Sequence, residues 1–429
     1  RNGHEGKRIG RRAIRNRTSF KKAYRLLKVT SQMKVFVILS RIPFPLDKGD
    51  KLRAFHQLKE LNKKCEVVLC CLTDEGANPE ALEKLREISS SYKVFHLKKW
   101  RIALNLFFCM FTRKPFQVMY FYQRPIHRKI SRWIERENPD HIYCQLLRTA
   151  EYAKEEFNYP KTIDYQDAFS KGVERRERKA RWPFREIFAS ERRRLISYEN
   201  IIFEYFDNKT IISDEDRRYI YHPGRKDISI VKNGIDTSFF APNYQVEKKY
   251  DLVFIGNMSY PPNVETAEYI VKQIAPEILQ FRPNLSVLIA GSSPHNRVKA
   301  LANLDYVTVS GWVDDIREAY ASARVFFAPM QIGTGLQNKL LEAMAMQIPC
   351  ITSELANRSL RAESGKSILV GEKTEDYVQH IKALLENPNL ANELGAAGRQ
   401  YVESEFSWEN SAERLIQLMR TQNDVLNVS

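Results

Sequence analysis

The chain has 429 residues, enough for two domains of ordinary size, and its 43% hydrophobic and 11% aromatic content excludes a disordered protein. No apolar stretch reaches about 18 residues, so no spanning helix is expected. The formal net charge of +16 suggests a polyanion binder, but residues 1–32 carry eleven Lys and Arg against one acid and supply +10 of it. The body holds only +6 and shows no recognition module, so nucleic acid is not an expected partner.

Residues 1–32 read as a basic extension or tail, with Met33 as the natural start before the strand-like KVFVILS. Phe20, Tyr24 and Leu27 share a helical face among basic residues, which suits either an anionic membrane surface or a plain tail. From Met33, apolar β-type runs alternate with amphipathic windows, the pattern of βαβ units and parallel sheets. Strands are expected at 35–40, 66–72, 93–97, 141–144, 162–165 and 209–212, with helices at 50–62, 79–90 and 125–137. Six cysteines show no metal-ligand spacing, and several lie in apolar runs, so they read as reduced and structural in a cytosolic protein.

Residues 98–114, KKWRIALNLFFCMFTRK, hold a ten-residue apolar run (102–111) between basic residues. It is too short to span a bilayer and suits an interfacial helix, with the basic cluster at 175–194 beside it. Packing in a core is the competing explanation. KDISIVKNGIDTSFFAPN, at 226–243, marks a linker, which divides the chain into a first domain over 33–232 and a second over 233–400. Strands of the second are expected at 251–255, 286–290, 307–309, 325–328 and 350–352. Residues 401–429 are expected to be helices that cross back to the first domain.

The richest stretch is VFFAPMQIGTGLQNKLLEAMAMQIPCI at 325–351, which reads as strand, glycine turn, helix, strand. Gly333 and Gly335 permit a sharp turn and close backbone approach. Helical spacing begins at Leu336, with Asn338 at the helix start. A helix that opens after a glycine turn offers unpaired N–H groups and a positive dipole end to an anion. Lys339 sits in the first turn, where the dipole disfavours a cation unless a phosphate lies there. Glu342, one turn on, can accept hydrogen bonds from ribose hydroxyls. A solvated helix face is the alternative. Gly49, in Lys48-Gly49-Asp50-Lys51, opens a second helix after the first strand, with Lys48, Lys51 and Arg53 adding positive charge. A capped, solvated turn is the alternative there.

The order of these motifs resembles the family-4 retaining glycosyltransferases of GT-B architecture. Supporting pieces are RIPFPLDKGDKLRAFHQLKEL after the first strand, YFDNKTIISDEDRRYI, IVKNGID, FIGNMSYPPN, IAGSS, VTVSGWVDDIREAYASARV, the 325–351 stretch and GRQYVESEFSWENSAERLIQLM. Narrower features resemble sugar transferases of bacterial exopolysaccharide loci, including those beside exosortase systems. The resemblance implies an α/β GT-B fold, two Rossmann-like domains facing a cleft, with the C-terminal helix returning to the first. It implies transfer of a sugar from a nucleotide-diphosphate sugar to a saccharide or lipid-linked acceptor, with retention and without an obligatory metal or other cofactor. The protein would be cytoplasmic, or peripheral on the cytoplasmic face of the inner membrane. A nucleotide-sugar epimerase or an inactive relative is the alternative.

The family's two signature glutamates fall on Thr334 and Glu342, so only the second is present. Its usual Arg and Lys after the first donor-domain strand fall on Asn257 and Asn263, which leaves Lys339 more of the diphosphate load. Trp312 takes the place where the family meets the nucleobase. No histidine marks the first-domain tip: His141 begins its strand. Gln145 and Arg148 lie nearer the expected cleft, on the acceptor side with Lys48, Asp50 and Arg53. Asp164 and Asp167 are the candidates for a base or acceptor contact.

Overall fold

A computed structural model of the protein describes residues 32–46, 48–76, 78–332 and 336–428. The basic extension over residues 1–31 and the turn residues Gly333, Thr334 and Gly335 therefore lie outside the described residues.

The strands are β1 (Lys34–Leu39), β2 (Glu66–Thr73), β3 (Ser91–His96), β4 (His141–Gln145), β5 (Lys161–Asp164), β6 (Asn208–Ile211) and β7 (Ser229–Ile230) in the first half. The second half has β8 (Tyr250–Ile255), β9 (Val287–Ala290), β10 (Val307–Gly311), β11 (Ala323–Ala328), β12 (Cys350–Ser353) and β13 (Leu369–Gly371). They form two separate parallel sheets, ordered β3-β2-β1-β4-β5-β6-β7 and β10-β9-β8-β11-β12-β13. Both are doubly wound, because β1 and β8 start in the middle and the chain then builds outward in each direction. Order reverses between β1 and β4 in one sheet and between β8 and β11 in the other. Parallel α/β sheets bind ligands at such switch points, outside the carboxyl ends of the strands.

Strands buried on both faces explain the continuous apolar runs. Val35, Val37 and Leu39 pack with Leu58 and Leu61 of the helix Gly49–Lys64, while Phe36 and Ile38 face a second cluster with Ile130 and Ile134. In the second domain one cluster joins Phe254, Phe326 and Phe327 to Leu340, Leu341 and Met344. β13 escapes the sequence pattern because it has only three residues and pairs with β12 alone. All six cysteines are buried and unpaired. Burial pushes the Cys65 thiol up to about 11, consistent with a small hydrophobe.

The chain passes between domains twice, side by side. Ile235 N–H donates to the Phe406 carbonyl at 2.7 Å. A Cβ on Gly234 would sit 2.4 Å from the Trp408 nitrogen, so only glycine fits there. The helix Trp408–Val428 then lies on the first domain: Leu415, Ile416 and Met419 enter its core, and Gln57 Nε2 donates to Ser411 Oγ at 3.3 Å. The return starts after Phe406 rather than at 401, because Val402 and Phe406 are still packed in the second core.

Candidate active site

The second-domain half of the site gathers at the tips of β8, β9 and β11. Gly256 follows β8, and Gly291 follows β9 with φ +134°. A Cβ on Gly291 would come within 1.8 Å of the Gly256 carbonyl, so both strand ends meet as bare backbone. A Cβ on Gly256 would meet Asn263 Nδ2 at 2.6 Å and Lys339 Nζ at 3.2 Å. These glycines make a floor for a cation.

Lys339 lies in the first turn of the helix Asn338–Ala345. Its Nζ donates to Asn263 Oδ1 at 2.6 Å and stands 4.6 Å over the Phe254 ring. Asn263 is in turn fixed by its Nδ2, which donates to the Asn257 carbonyl at 2.9 Å. Among the described residues no carboxylate lies within ion-pair distance of Lys339. Withdrawal from water lowers its ammonium to about 8, with Glu342 at longer range pulling the other way. Glu342 is itself held: the buried Tyr320 hydroxyl donates to its Oε2 at 2.7 Å, while burial raises the carboxyl. A cation at a helix start that is met, among the described residues, by an amide and a ring face is an electrostatically unfinished site. It suits a dianionic phosphate group.

Asn257, Asn263, Leu336, Asn338, Lys339 and Glu342 all belong to this cluster or to the helix start beside it. Trp312 follows the end of β10 and is 73% exposed, with its indole Nε1 3.3 Å from Asp314 Oδ1. It packs in no core and is free to meet a planar ligand. Tyr320 and Phe254 were not legible as site residues. Tyr320 lies 22 residues before Glu342, and no local spacing links them.

In the first domain the structure divides the expected residues. Arg53 and Asp164 are fully buried and form a two-pronged pair, Nε to Oδ2 at 2.8 Å and Nη2 to Oδ1 at 3.4 Å. Tyr143 and Thr210 hydroxyls also donate to Asp164, at 2.9 and 3.0 Å, and Arg53 Nη1 donates to Asn233 Oδ1 at 2.7 Å. This corrects the expectation for both. Asp164 has no lone pair open to a substrate and cannot serve as a base, and Arg53 cannot reach an acceptor. Together they bolt the helix Gly49–Lys64 to β5 and to the linker.

Asp50, Gln145, Arg148 and Asp167 do face the switch point. Asp50 accepts from Arg41 Nη1 at 3.0 Å and lies 3.9 Å from Arg148, and Gln145 Nε2 donates to the Asp50 carbonyl at 3.3 Å. Arg148 lies between the Phe121 and Phe169 rings, 5.4 and 5.0 Å from their centroids, and its Nε has no partner. Burial, and Arg41 beside it, bring its guanidinium down to about 10. Asp167 is reachable by solvent, yet its carboxyl is pushed up to about 6. Partial withdrawal from water is the main cause and Asp216 the next, with Arg148 and Arg175 opposing. Arg41, Arg175 and Asp216 thus join the cluster without having been expected. Lys48 and Gly49 stand exposed at the mouth, and nothing within 4 Å would meet a Cβ on Gly49. Among the described residues no side chain caps the helix there. His141 is buried and hydrogen-bonded to Thr162 at 2.8 Å, away from the mouth.

Residues 249–387 match the family described as Glycosyl transferases group 1. That segment runs from the start of β8 through the Lys339 helix to the helix Thr374–Glu386. Spore coat protein SA of Bacillus subtilis is 29% identical over 181 residues, 38% of this chain and 47% of that protein. A GDP-mannose-dependent monoacylated alpha-(1-6)-phosphatidylinositol monomannoside mannosyltransferase of Corynebacterium glutamicum is 26% identical over 218 residues, 44% of this chain and 55% of that protein. The chain thus spans about half the length of the curated relatives it matches. Anabaena HepE, solved with UDP and glucose, superimposes with a TM-score of 0.61 at 11% identity, covering 90% of this chain and 99% of that one. This last likeness shows the fold, which is GT-B.

Proposed function

We propose that the protein is a glycosyltransferase. It moves a sugar from a nucleotide-diphosphate sugar to a saccharide or lipid-linked acceptor, with retention, in exopolysaccharide or cell-surface glycan synthesis. One observation carries this reading. The Lys339 ammonium is held by Asn263 and Phe254 at a helix start, without a carboxylate partner among the described residues, inside the segment that matches the transferase family. The family match favours transfer over epimerisation.

In this reading Lys339 and the helix N–H groups take the leaving diphosphate, whose charge grows as the glycosidic bond breaks. Protein cations fill that role without an obligatory metal or other cofactor. Glu342, oriented by Tyr320, accepts from the ribose, and Trp312 offers its face to the base. Across the cleft, Arg148 and Asp167 receive the acceptor. Asp167, titrating at about 6, is ionised at neutral pH and can accept the acceptor hydroxyl's hydrogen bond. Unbridged buried thiols fit a reducing, cytoplasmic location.

The direct test is thermal stabilisation by UDP, GDP, ADP, CMP and their sugar conjugates. Selective stabilisation by one nucleoside diphosphate is expected, since a ligand at about 100 times its Kd adds roughly 2.7 kcal/mol. Silence across the panel would defeat the donor-site assignment. The binding also has a predicted pH limb. A phosphate needs the ammonium form of Lys339, and that form is lost as pH rises through about 8. Affinity is expected to be level around pH 7 and to fall by roughly tenfold per unit well above 8. Calorimetric titration of the nucleotide at several pH values checks this, and a Lys339→Ala protein should show no such limb.

A further inference from the structure

The helix Lys99–Cys109 leaves the carboxyl end of the edge strand β3 and is apolar on two opposite faces. Ile102 and Leu106 turn inward against the first-domain core, and Cys109 on the same side is buried. Trp100, Leu104, Phe107 and Phe108, with Phe111 just beyond, repeat at helical spacing on the outer side. All five are exposed, Phe111 to 77%. Phe107 sits 5.6 and 5.7 Å from the Phe108 and Phe111 rings, so the aromatics form one cluster in water. A helix apolar all round has a partner on each face, and a contiguous patch of this kind marks an interaction site.

A second segment extends the patch. In the helix Phe184–Phe203, the residues Phe184, Ile187, Glu191 and Arg194 fall on one face. Glu191 accepts from the Phe116 and Gln117 amides, and Arg194 Nη1 donates to the Cys109 carbonyl at 2.7 Å. Phe184 and Ile187 lie about two to three turns along this helix from Arg194, the residue that touches the Phe107–Phe111 segment, with Trp182, 82% exposed, just before them. Cations rim both parts: Lys98, Lys99 and Arg113 flank the first, and Arg181 and Arg185 the second. None of these five has an acidic partner among the described residues.

We infer that the first domain docks on an anionic lipid bilayer through this aromatic face. The charge pattern selects that occupant, since apolar rings enter the acyl boundary while the rim meets anionic headgroups. A second copy would oppose one positive rim to another. The face also leads to the cleft. Gln117, beyond the first segment, accepts from Arg148 at 3.3 Å, and Phe169, beside the Glu199 end of the second helix, supplies one of the rings beside Arg148. A lipid-linked acceptor entering along the bilayer would arrive at Arg148. The docking itself does not depend on the transferase reading, and its test needs neither donor nor acceptor.

The test is co-sedimentation of the full chain with phosphatidylcholine vesicles, with and without about 30% phosphatidylglycerol. The natural protein is compared with a Phe107→Ser/Phe108→Ser/Phe111→Ser variant. Binding to the anionic vesicles is expected to be about tenfold weaker in the triple variant. Residues 1–31 are themselves basic, so insertion is located separately by quenching of tryptophan fluorescence with brominated acyl chains. Trp100→Phe and Trp182→Phe are each expected to remove part of that quenching. Failure of the natural protein to bind, equal binding by the triple variant, or quenching unchanged in both tryptophan variants would overturn the proposal. So would a dimer in vesicle-free solution that the triple variant converts to monomer, because a second copy would then cover the face.

Discussion

Replacing Asp164 by alanine is expected to destabilise the protein by about 3–5 kcal/mol, because it strands the Arg53 guanidinium in an interior without water. Asn233 would remain as its one neutral partner, and Tyr143 and Thr210 would lose their shared acceptor. Asp164→Asn should cost less, since the amide oxygen still accepts hydrogen bonds while the charge is gone. Denaturant unfolding measures both. The same pair of variants separates a structural role from a catalytic one. A base would lose turnover in Asp164→Asn with stability almost intact, whereas here the stability loss should lead and any activity loss should follow it. A cost below about 1 kcal/mol for the alanine variant would show that the pair does not hold the helix Gly49–Lys64 to β5.

Lys339→Ala should lower kcat/KM for the sugar nucleotide by roughly 100-fold, about 2.7 kcal/mol of transition-state stabilisation, with little change in folding stability. The cation is costly to the empty protein, as its ammonium is held down at about 8, and Glu342 keeps its Tyr320 hydrogen bond when it is removed. Its loss should be felt only when a diphosphate is bound or leaving. Lys339→Arg is expected to rescue poorly, because a planar guanidinium cannot replace a compact ammonium between Asn263 and the Phe254 ring. Steady-state kinetics with the donor identified by thermal shift, beside a melting curve for each variant, checks both halves. Undiminished turnover in Lys339→Ala would remove it from the site.

Much of this architecture was legible in the chain itself. Apolar runs of four to eight residues alternating with amphipathic windows specify buried parallel strands and covering helices, because each such strand must bury both faces. The glycine turn before Asn338 and the cation after it pointed to an anion site, since a helix start offers unpaired N–H groups wherever it occurs. These are local properties, and sequence spacing records them. β13 was missed for the same reason in reverse: three residues carry no period.

The direction in which side chains point, and what they meet, was settled only by tertiary structure. Asp164 and Asp167 are three residues apart at one strand end and read alike, yet one is sealed against Arg53 and the other opens to the cleft. The partners that decide this are 111 residues away in the first case and come from several separate loops in the second. Lys339 met Asn263 across 76 residues, which made an apparent loss of basic residues into the support for the remaining one. The outer face of the helix Lys99–Cys109 could as well have been core, until the fold placed a second domain elsewhere and left it in water. Local sequence sets the period and the breaks of the backbone. Packing at long range sets the dielectric and the partners of each charge, and those fix which residue can do chemistry.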